Sequence, residues 1–151
     1  MDKTSCYSYF AICSEGEIQY GLGLVAAENG NFDPEEISKM LGILPFRAWA
    51  AGTPRGKGNG VFRFSMWSAC RQDEPALDAG EQCLKIVREL TPLIPELNRI
   101  REQYNVSFSI LIVPKIYNEE TPTLVFDSEI IEFCHLTKTE IGIDLYVYDR
   151  E

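Results

Sequence analysis

The chain has 151 residues, 45% of them hydrophobic and 25% charged, with a net charge of −9. That is the size and composition of one globular domain, 1–151, able to bury a core without covalent staples. No apolar run approaches the roughly 20 residues needed to cross a bilayer, and Met1-Asp-Lys-Thr-Ser-Cys-Tyr lacks a signal-peptide core, so the expectation is a cytoplasmic protein with no membrane partner.

Tyr7–Cys13 is rich in β-forming residues and reads as a strand. Ile18, Tyr20, Leu22, Leu24 and Ala26 alternate with Gln19, Gly21, Gly23 and Val25, predicting a second strand after a Glu15-Gly16 turn. Asp33-Pro34-Glu35-Glu36 starts a helix: Asp33 can accept from free backbone N–H groups, Pro34 loses no bond, and Glu36 can reach back as in a capping box. Ile37, Met40 and Leu41 form its apolar stripe and Gly42 its stop. Arg47–Ala51 and Val61–Ser68 read as strands around the glycine-rich loop Gly52–Gly60. Helix follows from about Pro75 to Tyr104, broken by Pro92 and Pro95. Val106–Val113 is a strand ended by Pro114, and Asp127 or Ser128 caps a short helix to about Leu136. Ile141, Ile143, Leu145 and Val147 alternate with Gly142, Asp144, Tyr146 and Tyr148 in the last strand, with the apolar row expected beneath the helices. The order ββαββααβαβ implies an α+β fold: one mostly antiparallel or mixed sheet of about six strands, with helices mainly on one face.

Within this frame the residues resemble a known family. Phe32-Asp-Pro-Glu-Glu-Ile37, Leu41-Gly-Ile43, Pro45 and Gly52, then Trp67-Ser68, then Ile143-Asp-Leu-Tyr-Val147, are similar to the signature of a bacterial domain-of-unknown-function family, number forty-two seventy-nine. The likeness spans about residues 7–149. Ser14–Asn31 departs from it, being longer than the family's usual connection. The resemblance implies a fold and no catalytic residues; a toxin-neutralising (immunity) role is an expectation by analogy.

The cysteines Cys6, Cys13, Cys70, Cys83 and Cys134 are odd in number and form no Cys-x-x-Cys pair, so free thiols and no disulfide are expected. Gly52-Thr-Pro-Arg-Gly-Lys-Gly lacks the spacing, the Ser or Thr and the following helix of a phosphate loop. His135, the single histidine, sits beside Cys134, and adjacent helical residues do not face each other. Asp33, Glu35 and Glu36 are explained by capping. No catalytic constellation, metal site or cofactor is expected.

Two features point outward. From Ile37 to Gln72 there is no Asp or Glu, while Lys39, Arg47, Arg55, Lys57, Arg63 and Arg71 contribute +6. The rest of the chain, with 8 of the 14 cations and all 23 acids, carries −15. The basic stretch either pairs with acidic helices or binds an anion. The second feature is the sheet face opposite the helices. Strand parity assigns it Tyr7, Tyr9, Trp49, Arg63, Trp67, Ser107, Ser109, Asp144, Tyr146 and Tyr148, with Trp49 opposite Arg63 if Ala51 pairs with Val61. Trp49, Arg63, Trp67, Asp144 and Tyr146 are the candidate binding residues. The leading reading is a non-enzymatic protein-binding module whose partner is another protein, a toxin in the concrete form, or a second copy in a homo-oligomer. A small-molecule pocket around Trp49, Trp67 and Tyr146 is the alternative. Nucleic-acid binding through the basic segment is a third, opposed by the −15 elsewhere.

Overall fold

Alternation along the first strand divides its side chains between a closed and a more open side. The computed structural model describes residues 2–14, 18–19, 23–24, 31–74 and 76–148. In β1 (Ser5–Ser14), Cys6, Ser8, Phe10, Ile12 and Ser14 are buried, whereas Tyr7, Tyr9 and Cys13 are half-buried. The next segment differs from expectation. Instead of one strand over Ile18–Ala26 there are two short ones, β2 (Ile18–Gln19) and β3 (Gly23–Leu24), paired antiparallel with Ile18 opposite Leu24. The Glu15-Gly16 turn lies outside the described residues.

Helix α1 (Pro34–Leu41) begins and ends as its sequence requires. Asp33 accepts from the Glu35 N–H, Ile37 and Leu41 are buried, and Gly42 closes the helix at φ 69° with its N–H on the Ser38 carbonyl. Glu36 does not complete a capping box; its carboxylate lies 3.6 Å from Lys39 Nζ, one turn on. After β4 (Arg47–Trp49) and β5 (Met66–Gln72) come α2 (Ala79–Leu90), a 3₁₀ turn over Thr91–Leu93 and α3 (Ile94–Tyr104). Asp78 caps α2, and Pro95 sits in the first turn of α3, where its missing N–H costs nothing. The chain finishes with β6 (Val106–Tyr117), α4 (Ser128–Thr137, capped by Asp127), β7 (Thr139–Ile143) and β8 (Tyr146–Tyr148).

The fold is α+β. Six strands form one mixed sheet in the order β4-β5-β1-β6-β7, with β8 also pairing with β6. β4 and β5 run antiparallel, β6 and β8 parallel. Two compact units divide the chain: Met1–Phe10, Cys70–Pro92 and Ser109–Glu151 form the first, Ala11–Ala69 and Leu93–Phe108 the second. The division falls within β1, β5 and β6.

In the first unit α2 packs against α4. Gln82 of α2 is buried and ties the helix to β1: its Oε1 accepts from Ser8 Oγ at 2.8 Å, and its Nε2 donates to the Cys6 carbonyl at 2.9 Å. Gly80 lies against the Val125 carbonyl, where any Cβ would collide. β6 runs through Pro114 rather than ending there. The Ile112 carbonyl accepts from the Asp144 N–H at 2.8 Å, and Lys115 pairs with Tyr146. Pro114, two residues past Ile112, therefore turns its donor-less nitrogen toward Asp144-Leu145, the interval separating β7 from β8. One predicted final strand thus becomes two.

In the second unit α1 packs against α3, and Phe32 meets Tyr104 edge-on at 6.3 Å. β5 starts at Met66, five residues later than predicted. The glycine-rich loop is a hydrogen-bonded hairpin: Gly52 N–H donates to the Phe62 carbonyl at 2.7 Å, Phe62 N–H to Thr53 at 2.9 Å and Arg55 N–H to Gly60 at 2.9 Å.

Candidate functional site

The first unit gathers five tyrosines on one side of its strands, Tyr146 and Tyr148 exposed and Tyr7, Tyr9 and Tyr117 half-buried. Tyr7 and Tyr9 come from the open side of β1, their rings 6.3 Å apart. Lys115 and Tyr117 come from β6, and the parallel register sets Tyr146 beside Lys115 and Tyr148 beside Tyr117. The Tyr117 and Tyr148 rings stack at 4.5 Å and 6°. Two cations cover Tyr7, with the Arg71 guanidinium 4.6 Å and Lys115 Nζ 5.6 Å from the ring centre.

Arg71 reaches this face through a backbone irregularity. Trp67 and Ala69 of β5 are buried on one parity, so strict alternation would send Arg71 to the same side. Cys70 instead adopts φ 59°, the left-handed region, in the manner of a bulge residue. Its thiol lies toward Glu89 of α2, and the phase slips by one so that Arg71 lies over Tyr7. Asp144 accepts from the Tyr146 hydroxyl at 3.2 Å, and its negative charge, first among the causes, pushes the phenol above its ordinary range. Tyr117 is raised as well, by loss of solvent and by neighbouring Tyr148.

β8 is exposed on both sides. Tyr146 and Tyr148 are 46% and 43% exposed, and Leu145 and Val147, on the other parity, 53% and 63%. The expectation that Ile143, Leu145 and Val147 lie beneath helices is thus overturned, and Ile141 is only half-buried. The row is apolar, yet from Ile143 onward it lies at and beyond the end of β7 with its side chains exposed.

The other candidate residues lie in the second unit. Trp67 is not a surface residue: it is 0% exposed, and its indole N–H donates to Ser38 Oγ of α1 at 3.0 Å. Met66, Trp67, Ser68 and Ala69 are all buried, so this part of β5 is covered on both faces and parity could not distinguish a core row from an open one. The proposed Ala51–Val61 register is also corrected. Trp49 opposes Met66, and its ring stacks on Phe62 at 4.4 Å and meets Phe64 edge-on at 5.6 Å. Arg47 lies 5.7 Å from the Trp49 ring centre. Trp49 and Arg63 do share a wall, both lining a cavity of about 210 Å³ with Arg55, Phe62 and Phe64. The five candidates therefore separate into Asp144 with Tyr146, Trp49 with Arg63, and Trp67 in the core. Arg71 and Lys115 went unassigned to the first group: the bulge that turns Arg71 has no glycine to mark it, and Lys115 lies beyond the proline taken as the strand's end.

All five cysteines are free thiols. Burial pushes each one's pKa upward, Cys70 and Cys83 to about 12, so they are protonated and poorly nucleophilic at neutral pH. Among the described residues no three His, Cys, Asp or Glu side chains gather as metal ligands would, and no helix is long and apolar enough to cross a membrane.

No curated protein and no solved structure matches the chain. The family model described as a domain of unknown function (DUF4279) matches residues 4–148, from the strand that carries Tyr7 to the strand that carries Tyr146 and Tyr148, and the chain belongs to that family.

Proposed function

We propose that the chain is a non-enzymatic protein-binding module whose partner seats on the tyrosine face of the first unit. One observation carries this reading: Tyr7, Tyr9, Tyr117, Tyr146 and Tyr148 stand with Arg71 and Lys115 on one side of four strands, and the strand at its margin is exposed on both faces. Tyrosine and arginine are the residue types that dominate binding hot spots, because each combines a large contact area with a polar end. Among the described residues β8 pairs with β6 alone, which leaves a backbone edge to which a partner strand can add.

The finer form of the proposal is neutralisation of a toxin encoded beside this chain's gene. The test is to purify that neighbouring product with the chain and measure the affinity. The double substitution Tyr146→Ala and Tyr148→Ala should weaken the complex about thirtyfold or more. A stable complex whose affinity does not change would overturn the tyrosine face as the binding surface.

A further inference from the structure

We propose that the hairpin over residues 50–64 of the second unit holds a small aromatic acid, meaning a flat apolar body with a carboxylate, sulfonate or phosphate group. A cavity of about 420 Å³, within the usual range for small-molecule sites, lies against this hairpin, and Asn31, Val61, Phe62 and Arg63 are among its walls. It shares Phe62 and Arg63 as lining with the 210 Å³ cavity of Trp49 and Arg55. The bonds of Gly52, Phe62 and Arg55 across the hairpin hold these walls in place before any ligand arrives.

Charge identifies the ligand. Among the described residues no acidic one lines either cavity, and none occurs in the sequence between Ile37 and Gln72. The ends of that basic stretch are neutralised, Lys39 by Glu36 and Arg71 by Asp73. Its middle is not. Among the described residues Arg47, Arg55 and Lys57 have no carboxylate partner; Arg47 lies over Phe46 and Trp49, and Arg55 lies 5.7 Å from the Phe62 ring centre. A guanidinium held against a ring keeps its outward N–H groups for an anion, which it can grip with two parallel bonds. The flat Trp49–Phe62 stack selects a flat body. The −15 outside the segment repels a long polyanion but tolerates a single charge.

The probe is 8-anilinonaphthalene-1-sulfonate, titrated by its fluorescence, beside N-phenyl-1-naphthylamine, the same body without the charge. The sulfonate should bind at one site, and the neutral compound about tenfold more weakly or worse. Arg55→Gln with Arg63→Gln should weaken the sulfonate by a similar factor, whereas Lys85→Gln with Arg88→Gln, an equal charge change in the first unit, should not. Thermal unfolding of each variant shows that the fold is retained. Equal binding of the two compounds to the unaltered chain, or sulfonate affinity unchanged in the double variant, would overturn the proposal.

Discussion

Around Trp67 the second unit closes completely over an aromatic ring and gives its N–H an acceptor, while along β8 the first unit leaves Tyr146 and Tyr148 nearly half exposed. Both are aromatic positions in strands, and parity assigned both to the same open face. The difference lies in what the chain places above each. Ser38 of α1 meets the Trp67 ring, whereas the side chains of β8 stand exposed on both parities. Aromatic content therefore says little about role until the covering elements are known. The contrast can be broken at its strongest point. Trp67→Ala should cost about 3–5 kcal/mol, the usual loss for a large buried ring, measured by urea unfolding. It should leave partner affinity per folded molecule unchanged. A variant as stable as the parent would show that the core does not rest on this ring.

The first unit offers a polar counterpart of smaller size. Gln82 spans from α2 to β1 with both ends of its amide used, accepting from Ser8 and donating to the Cys6 and Glu74 carbonyls. Gln82→Leu removes a donor and an acceptor together and leaves the Ser8 hydroxyl buried without its partner. The expected loss is about 1–3 kcal/mol. Ser8→Ala combined with Gln82→Leu should restore part of it, because the orphaned hydroxyl is gone. If the double variant is no better than the single one, the bond between these two side chains is not what Gln82 contributes.

Most of the elements were legible in the sequence because their signals are local. Asp33 and Asp127 cap two helices, Gly42 stops one, and the even row Val106, Phe108, Ile110 and Ile112 is buried throughout; the Asp78 cap went unread, and α2 starts four residues after the expected Pro75. What was not legible depends on partners distant in the chain. Pro114 reads as a terminator, and only the pairing with β7 and then β8 shows where its missing donor falls. Met66–Ala69 contains no polar row, so nothing local marks which side faces a helix. The slip at Cys70 has no glycine to announce it. Arg63 and Trp49 line one cavity, but the register that set them opposite each other does not form, and Trp49 opposes Met66.

The two most strongly shifted thiols, half-buried Cys70 and buried Cys83, provide a pH test. Burial, the leading cause at both sites, raises Cys70 and Cys83 from 9.0 to about 12; Glu89 adds at Cys70 and neighbouring Cys134, Cys6 and Asp78 at Cys83. The folded chain therefore holds these protons more tightly than the unfolded chain does. Their contribution to stability is complete below pH 9 and is lost as pH rises from about 9 toward about 12. Urea midpoints should fall across that window, and Cys83→Ala should shrink the fall. A midpoint that stays level to pH 11 would contradict the burial of both thiols.

The smallest expected effect tests the exposed side directly. Tyr146 is raised because ionising its phenol places a second negative charge beside Asp144 and breaks the bond its hydroxyl donates to that carboxylate. Asp144→Asn removes the charge but keeps an oxygen that can accept. The largest cause of the shift disappears, so the Tyr146 phenol should ionise at lower pH, nearer its ordinary value. Ultraviolet titration of the tyrosines, with Tyr146→Phe identifying the moving group, reads this directly. Stability at neutral pH should change little, since both side chains are exposed and Asp144 is held to β6 by its backbone N–H, which the substitution leaves intact. If the Asp144→Asn curve overlays that of the parent chain, the carboxylate does not sit against the phenol, and the tyrosine face loses a pairing that orients Tyr146 within it.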